Sequence, residues 1–106
     1  MVKPTEGILN NVISIQDNAL VSTMLMKKST GSVTVFAFDT DQTISEHQTP
    51  FSALVVVLEG SLEITISGQL HTVAAGDFLI MPAHDPHALK ATKPSKMMLV
   101  MIKGDE

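Results

Sequence analysis

The four histidines are the side chains of this sequence best suited to chemistry, because the chain contains no cysteine. The lack of thiols excludes disulfides, thiolate zinc sites, iron–sulfur clusters and a cysteine nucleophile. Imidazole nitrogens can bind a divalent metal or act as general bases near neutral pH. His47 lies just ahead of an apolar run and His87 just after a proline-bounded turn, so a folded β-structure could bring the two together.

The rest of the sequence disfavours other catalytic and binding classes. It has no serine in a nucleophile-elbow context, no glycine-rich phosphate loop, and no tyrosine or tryptophan for stacking on bases. Seven lysines, no arginine and a net charge of −4 disfavour nucleic acid and anionic lipid surfaces as partners. The apolar runs are only long enough for strands, and the amino terminus lacks the apolar segment of a signal peptide, which predicts a cytoplasmic protein.

Short β-rich segments separated by turn residues predict an all-β protein of 106 residues. Leu62, Ile64 and Ile66 alternate with polar residues, and the following Ser67-Gly68 predicts a tight hairpin turn. Residues 97–102 are apolar on both faces and predict a buried closing strand. Residues 8–15 and 18–26 are predicted as two edge strands. Eight or more short strands favour a closed or double-sheet barrel, which leaves few exposed edges.

The segment from Gly76 to His87 resembles the second sequence motif of the cupin superfamily. In that motif a glycine is followed, after five residues, by a proline and then by a metal-binding histidine. Gly76, Pro82 and His87 occupy these places here, and His84 stands where the family prefers glycine.

The segment from His47 to Gly60 resembles the first cupin motif, in which two histidines and a glutamate precede a glycine. His47 and Gly60 match, but Thr49 stands in place of the second histidine and Ala53 in place of the glutamate. The resemblance covers residues 33–102. It implies an all-β, single-domain cupin, a double-stranded β-helix (jelly-roll) barrel, with two of the four usual metal ligands retained.

Two functions follow from this resemblance and from the residues around the motifs. The first is a small-molecule binding barrel with a reduced histidine site, in which the pocket is formed by His47, Thr49, Phe51, His87, Met81, Phe36 and Phe38. The second is a metal-dependent enzyme of the dioxygenase or isomerase type. It would hold a divalent ion such as Fe, Mn, Ni or Zn between His47 and His87, with His84 or water completing the coordination. A neutral, hydrogen-bonded histidine pair without metal remains the simpler alternative.

The whole chain, residues 1–106, is predicted to form one domain. Residues 1–30 would supply amino-terminal edge strands, and residues 33–102 would form the conserved barrel. Long apolar strands in so small a chain need covering, which predicts a homodimer. The resemblance implies that such dimers form through the amino-terminal strands.

Overall fold

The computed structural model describes residues 5–104. They contain nine β-strands and one short 3-10 helix (Leu9–Asn11), joined by turns and loops. The strands are β1 (Leu20–Lys28), β2 (Gly31–Phe38), β3 (Thr43–His47), β4 (Phe51–Glu59), β5 (Ser61–Ile66), β6 (Gln69–Ala74), β7 (Phe78–Met81), β8 (His87–Ala91) and β9 (Ser95–Lys103). They form two antiparallel sheets, one of five strands in the order β1-β2-β9-β4-β7 and one of four in the order β3-β8-β5-β6. The all-β prediction is confirmed.

The predicted hairpin between β5 and β6 is also confirmed. Ser67 (φ 48°) and Gly68 (φ 83°) both adopt left-handed backbone conformations, and Ile66 pairs with Gln69 directly across the turn. Two successive residues with positive φ twist the chain in the sense that two antiparallel strands require.

The core lies between the two sheets and is built from the alternate residues that each strand turns inward. On β9, the central strand of the five-stranded sheet, the inward residues are Met97, Leu99 and Met101, whereas Met98 and Val100 lie on the other face. β9 pairs with β2 on one side and with β4 on the other, and both of its faces carry apolar residues. The buried hydrophobic cluster consists of Phe38, Ala53, Val55, Val57, Leu62, Ile64, Val73, Met81, Leu89, Ala91 and Met97.

The amino-terminal prediction was wrong for residues 8–15. Only the 3-10 helix forms there, and its residues are exposed or half-buried. Asn10 explains part of this difference, since its side chain donates to Glu59 and its carbonyl accepts from Lys96 Nζ, instead of joining a sheet. The second predicted strand is present but begins at Leu20 instead of residue 18. No helix among residues 5–104 is long and apolar enough to cross a membrane.

Candidate functional site

His47 and His87 meet at one end of a cavity between the two sheets. The cavity has a volume of about 290 Å³. Apart from the two histidines, the described residues that line it are all apolar: Leu20, Phe36, Met81, Met97 and Leu99 come from the five-stranded sheet, and Ile44 and Leu89 from the four-stranded sheet. The site therefore combines one polar end with an apolar body, which is the usual composition of a small-molecule pocket.

A β-bulge determines where His47 points. His47 is the last residue of β3 and pairs with His87, the first residue of β8, while Ile44 pairs with Leu89. His47 is three residues after Ile44 on β3, whereas their partners His87 and Leu89 are only two residues apart on β8. In a regular strand, residues three apart lie on opposite faces. Since the bulge adds one residue, Ile44 and His47 both line the cavity.

The two imidazole rings are in direct contact. Their Nε2 atoms are 2.9 Å apart, and the rings meet edge to face with centroids 4.2 Å apart. His87 is buried, with 3% of its surface exposed, whereas His47 is exposed at the cavity mouth. His87 therefore lies on the interior side of the pair and His47 on the solvent side.

Backbone carbonyls fix the orientation of both rings. Nδ1 of His47 lies 2.8 Å from the Ser45 carbonyl oxygen, and Nδ1 of His87 lies 3.2 Å from the Asp85 carbonyl oxygen. A carbonyl can only accept, so we assign the N–H of each ring to Nδ1. With both N–H groups on Nδ1, the two Nε2 atoms are acceptors 2.9 Å apart, and a hydrogen-bond donor or a metal cation could bind beside them.

The pKa of His87 is held below its usual range. Burial is the main cause, the neighbouring His47 adds to the lowering, and the hydrogen bond to the Asp85 carbonyl opposes it. This lowering favours the uncharged form of the His87 ring, in which Nε2 is available as an acceptor.

Acidification is expected to destabilise the protein through His87. Because the folded state lowers this pKa, the stabilising contribution is fully present above the unfolded value of about 6.5 and is lost as the pH falls through it and down to the folded pKa. Urea unfolding between pH 8 and pH 5 should show a falling free energy of unfolding that His87→Gln largely removes. His71→Gln, on β6 outside the cavity, is the control and should retain the wild-type profile. An unchanged slope in His87→Gln would contradict this assignment.

Four of the predicted site residues do not line this cavity, namely Phe38, which lies in the core, and Thr49, Phe51 and His84. Phe51 and His84 line a separate cleft of about 420 Å³ together with Pro50, Lys103 and Gly104. Thr49 is joined to both, because its carbonyl accepts from the His84 amide at 2.7 Å and its Oγ1 accepts from the Phe51 amide at 3.3 Å. The structure thus gathers Thr49, Phe51 and His84 beside one another but apart from the cavity.

The backbone of His84 explains its position. Its φ of 72° lies in the left-handed region, which glycine adopts without steric cost. The preference for glycine that the sequence motif carries at this place is therefore a backbone requirement. Across residues 5–104, no cluster of three or more His, Asp or Glu side chains is placed to hold a metal ion, so the structure does not provide the third-ligand role predicted for His84.

Replacing His84 with glycine is expected to leave the protein at least as stable as the wild type. The left-handed conformation costs a non-glycine residue about 1–2 kcal/mol, and the flexibility of glycine in the unfolded chain offsets about 0.5–1 kcal/mol of the gain. The free energy of unfolding in urea should rise by up to about 1 kcal/mol in His84→Gly and should not rise in His84→Ala. A clear loss of stability in the glycine variant would show that the His84 side chain has a structural role.

Phe36 and Phe38 share a face of β2 but have different roles. Phe36 is half-buried and lines the cavity. Phe38 is fully buried in the core and does not line the cavity, although the two rings pack with centroids 6.3 Å apart. The structure thus places Phe38, which the sequence analysis assigned to the pocket, in the core beside it.

Five lining residues were not predicted from the sequence, namely Leu20, Ile44, Leu89, Met97 and Leu99. Leu89 could have been found, because it is two residues from His87 on the same strand and so shares its face. Ile44 could not, since the bulge reverses the alternation between it and His47. The β1 and β9 residues enter through sheet pairing that no local signal encodes.

Comparison with known proteins agrees with this architecture. The family model described as "Cupin domain" matches residues 34–103 of the chain. The chain belongs to the cupin family. His47 and His87, which the resemblance to the two motifs singled out, lie together in the cavity between the sheets.

Solved structures of other cupin-like proteins superpose closely. A conserved protein of unknown function from Streptococcus pyogenes is 33% identical, with a TM-score of 0.91 over 100% of this chain and 93% of that one. A cupin superfamily protein from Desulfitobacterium hafniense is 25% identical, with a TM-score of 0.89 over 95% of this chain and 94% of that one. A cupin 2 conserved barrel domain protein from Leptotrichia buccalis is 31% identical, with a TM-score of 0.87 over 90% of this chain but 46% of that one. No curated protein matches the chain.

The donor set at the histidine pair fits only part of a metal site. Two nitrogens bound at right angles to one divalent ion, each at about 2.1 Å, lie about 3 Å apart, which agrees with the 2.9 Å between the Nε2 atoms. Donation from Nδ1 to a backbone carbonyl is also how metal-binding histidines are usually oriented. Catalytic sites normally use three protein ligands, however, and the described residues offer two.

Proposed function

We propose that this cupin binds a small, largely apolar molecule in the cavity, with a single polar group placed against His47 and His87. The observation that carries the proposal is the composition of the lining, in which residues 5–104 contribute seven apolar side chains and this one polar pair. Binding apolar surface in such a cavity is favourable because it removes that surface from water.

The size of the cavity limits the ligand. An engineered cavity of about 150 Å³ in another protein holds one benzene ring. A volume of about 290 Å³ therefore suits a substituted ring or a short aliphatic chain.

The lining also disfavours sugars and sugar phosphates. Among the described residues that line the cavity there is no Lys, Asn, Gln, Asp, Glu, Ser or Thr. The hydroxyls of a sugar would lose their hydrogen bonds to water, and each unpaired buried group costs about 1–3 kcal/mol. A phenol or an apolar carboxylic acid has one polar group and meets this constraint.

The polar group would bind at Nε2 of the histidine pair. Both Nδ1 atoms are hydrogen-bonded to the Ser45 and Asp85 carbonyls. Nε2 is therefore the nitrogen of each ring that can contact a ligand. A hydroxyl can donate a hydrogen bond to one of these Nε2 atoms, and its oxygen would remain beside the pair.

Thermal unfolding with defined probes tests the proposal. We expect 4-ethylphenol to raise the Tm by several degrees at saturating concentration, whereas mannose should not, since only a molecule bound to the folded state stabilises it. Leu99→Trp should abolish the shift by filling the cavity. Leu70→Trp, at an exposed leucine of β6, is the matched control and should retain it. A shift that survives in Leu99→Trp, or no shift with a panel of such probes, would overturn the proposal.

A metal-dependent enzyme is the second candidate, and the convergence of the two Nε2 atoms favours it. His47 and His87 would hold the ion, which would supply Lewis-acid or oxygen-activating chemistry. Metal content measured by plasma mass spectrometry on untagged protein distinguishes the two functions. Near-stoichiometric metal that is lost in His87→Ala would favour the enzyme, whereas a probe-induced Tm rise that chelator does not change would favour the binding protein.

A further inference from the structure

The cleft that contains Phe51, His84 and Lys103 lies on the same face of the five-stranded sheet as the cavity. Phe51 of β4 pairs directly with Lys103 of β9. They share the inward face with Ala53 and Met101, because strand residues two apart lie on the same side. His84 borders the cleft from the loop between β7 and β8. One ammonium group, one imidazole and one phenyl ring thus surround a volume of about 420 Å³, which we call the Lys103 cleft.

Hydrogen bonds hold the backbone at all three of these residues. The Lys103 amide donates to the Thr30 carbonyl and the His84 amide to the Thr49 carbonyl, both at 2.7 Å. The Phe51 amide donates to Thr49 Oγ1 at 3.3 Å. Because the backbone around the Lys103 cleft is already held, a ligand would not have to order it on binding.

Lys103 brings a positive charge to the inward face of β9. Lysine is usually found on the solvent side of a strand, whereas alternation places Lys103 in line with Leu99 and Met101. No carboxylate of residues 5–104 lies within 4.0 Å of its Nζ, since the ion pair in that part of the chain joins Lys96 to Glu59. An anion in the Lys103 cleft would therefore meet an ammonium group in a protein whose net charge of −4 otherwise repels anions.

His84 has a side chain at a backbone position that suits glycine. Its φ of 72° is costly for any residue with a Cβ, and its side chain is exposed, so burial does not offset that cost. Residues held in such conformations are often found at binding sites, where stability is lost in favour of function. An imidazole always carries at least one N–H, so His84 can donate a hydrogen bond to a ligand in the Lys103 cleft.

We propose that the Lys103 cleft is a second ligand site, which binds a small molecule that joins a carboxylate to an aromatic ring. The carboxylate would accept from Lys103 Nζ and from the His84 ring N–H, and the aromatic ring would pack on Phe51 and Pro50. Phosphate esters fit less well, because the described lining offers one ammonium group and no guanidinium fork. The described linings of the cleft and the cavity share no residue, so this site is separate from the binding proposed for the cavity.

An NMR titration of the full, isotope-labelled chain with phenylacetate tests the proposal. We expect saturable shifts of the Phe51, His84 and Lys103 amide signals, with a dissociation constant in the millimolar range. Acetate, which lacks the ring, should bind at least about tenfold more weakly. Leu99→Trp should retain the shifts, because Leu99 lines the cavity and not the cleft.

Substitutions separate the two polar contacts. Lys103→Met removes the ammonium group but keeps an unbranched side chain, and it should weaken phenylacetate binding about tenfold. Lys90→Met, at an exposed lysine of β8, is the matched control and should bind like the wild type. His84→Gly should weaken binding about fivefold without loss of stability. His84→Asn tolerates the left-handed backbone and keeps an N–H donor, so it should bind within about twofold of the wild type.

Four results would contradict the proposal. The first is the absence of saturable shifts at the three amides, and the second is equal affinity for acetate and phenylacetate. Equal weakening by Lys103→Met and Lys90→Met would indicate a general effect of charge. Loss of the shifts in Leu99→Trp would place the ligand in the cavity. The 4-ethylphenol experiment concerns the cavity alone, so either proposal can fail without the other.

Discussion

Replacing Gly60 with alanine is expected to destabilise the protein by about 2–5 kcal/mol, combining left-handed backbone strain with overpacking. Gly60 turns the chain from β4 into β5 with a φ of 77°. A Cβ at this position would collide with the Pro94 carbonyl oxygen and the Ser95 hydroxyl, and it would lie 2.9 Å from Ser95 Cα. Two of these three contacts involve backbone atoms, so a side-chain rotation could not relieve them.

The same substitution would disturb the buried hydroxyl of Ser95. This hydroxyl accepts from the Ser61 amide at 3.0 Å and can donate to the carbonyl of Lys93 at 2.7 Å or of Ser61 at 3.0 Å. Ser95 is fully buried, so a displaced hydroxyl would leave polar groups without partners or water. The glycine that the first motif carries at position 60 is thus explained by close packing between the β4–β5 turn and the start of β9.

Gly68→Ala provides the matched control for Gly60→Ala. Gly68 has a similar φ of 83°, but nothing lies within 4 Å of a Cβ built there. Its replacement should therefore cost only the backbone strain, about 1 kcal/mol. Urea unfolding of both variants measures the difference. Equal losses would mean that strain alone, and not the contact with Ser95, makes glycine necessary at position 60.

Phe38→Ala is expected to cost about 3–5 kcal/mol of stability, because it would empty a fully buried site in the core. Its effect on the cavity should be indirect, since Phe38 does not line it. The Tm shift produced by 4-ethylphenol should persist in the milder variant Phe38→Leu, which retains most of the buried volume.

Phe36→Ala is expected to reduce ligand binding more, and stability less, than the substitutions of Phe38. Phe36 is half-buried and its side chain already faces the cavity, so its removal leaves less new empty space and should cost less stability than Phe38→Ala. The probe-induced Tm shift should nevertheless shrink, because part of the apolar wall is lost. If Phe38→Leu lost the shift and Phe36→Ala kept it, the assignment of the two aromatic rings to core and cavity would be reversed.

The sequence by itself determined the fold and the identity of the histidine pair. Alternating residues in β5 and the Ser67-Gly68 turn have local physical causes, namely the two-residue period of a strand and the positive φ of a tight turn. The spacing from His47 to Gly60 and from Gly76 to His87 matched the cupin motifs, and the structure places both histidines in contact. These features could be predicted because each depends on residues close together in the chain.

Only the tertiary structure decided which neighbours join the pair. The bulge between Ile44 and His47 depends on pairing with β8, about 40 residues away, and it changes which residues of β3 face inward. The left-handed backbone at His84 places that residue in another cleft, away from the pair. Strand alternation shows that Phe36 and Phe38 share a face. The opposing sheet determines that Phe36 borders the cavity and that Phe38 is packed in the core. Side-chain period is a local property, whereas the space in front of each face is set by the packing of two sheets.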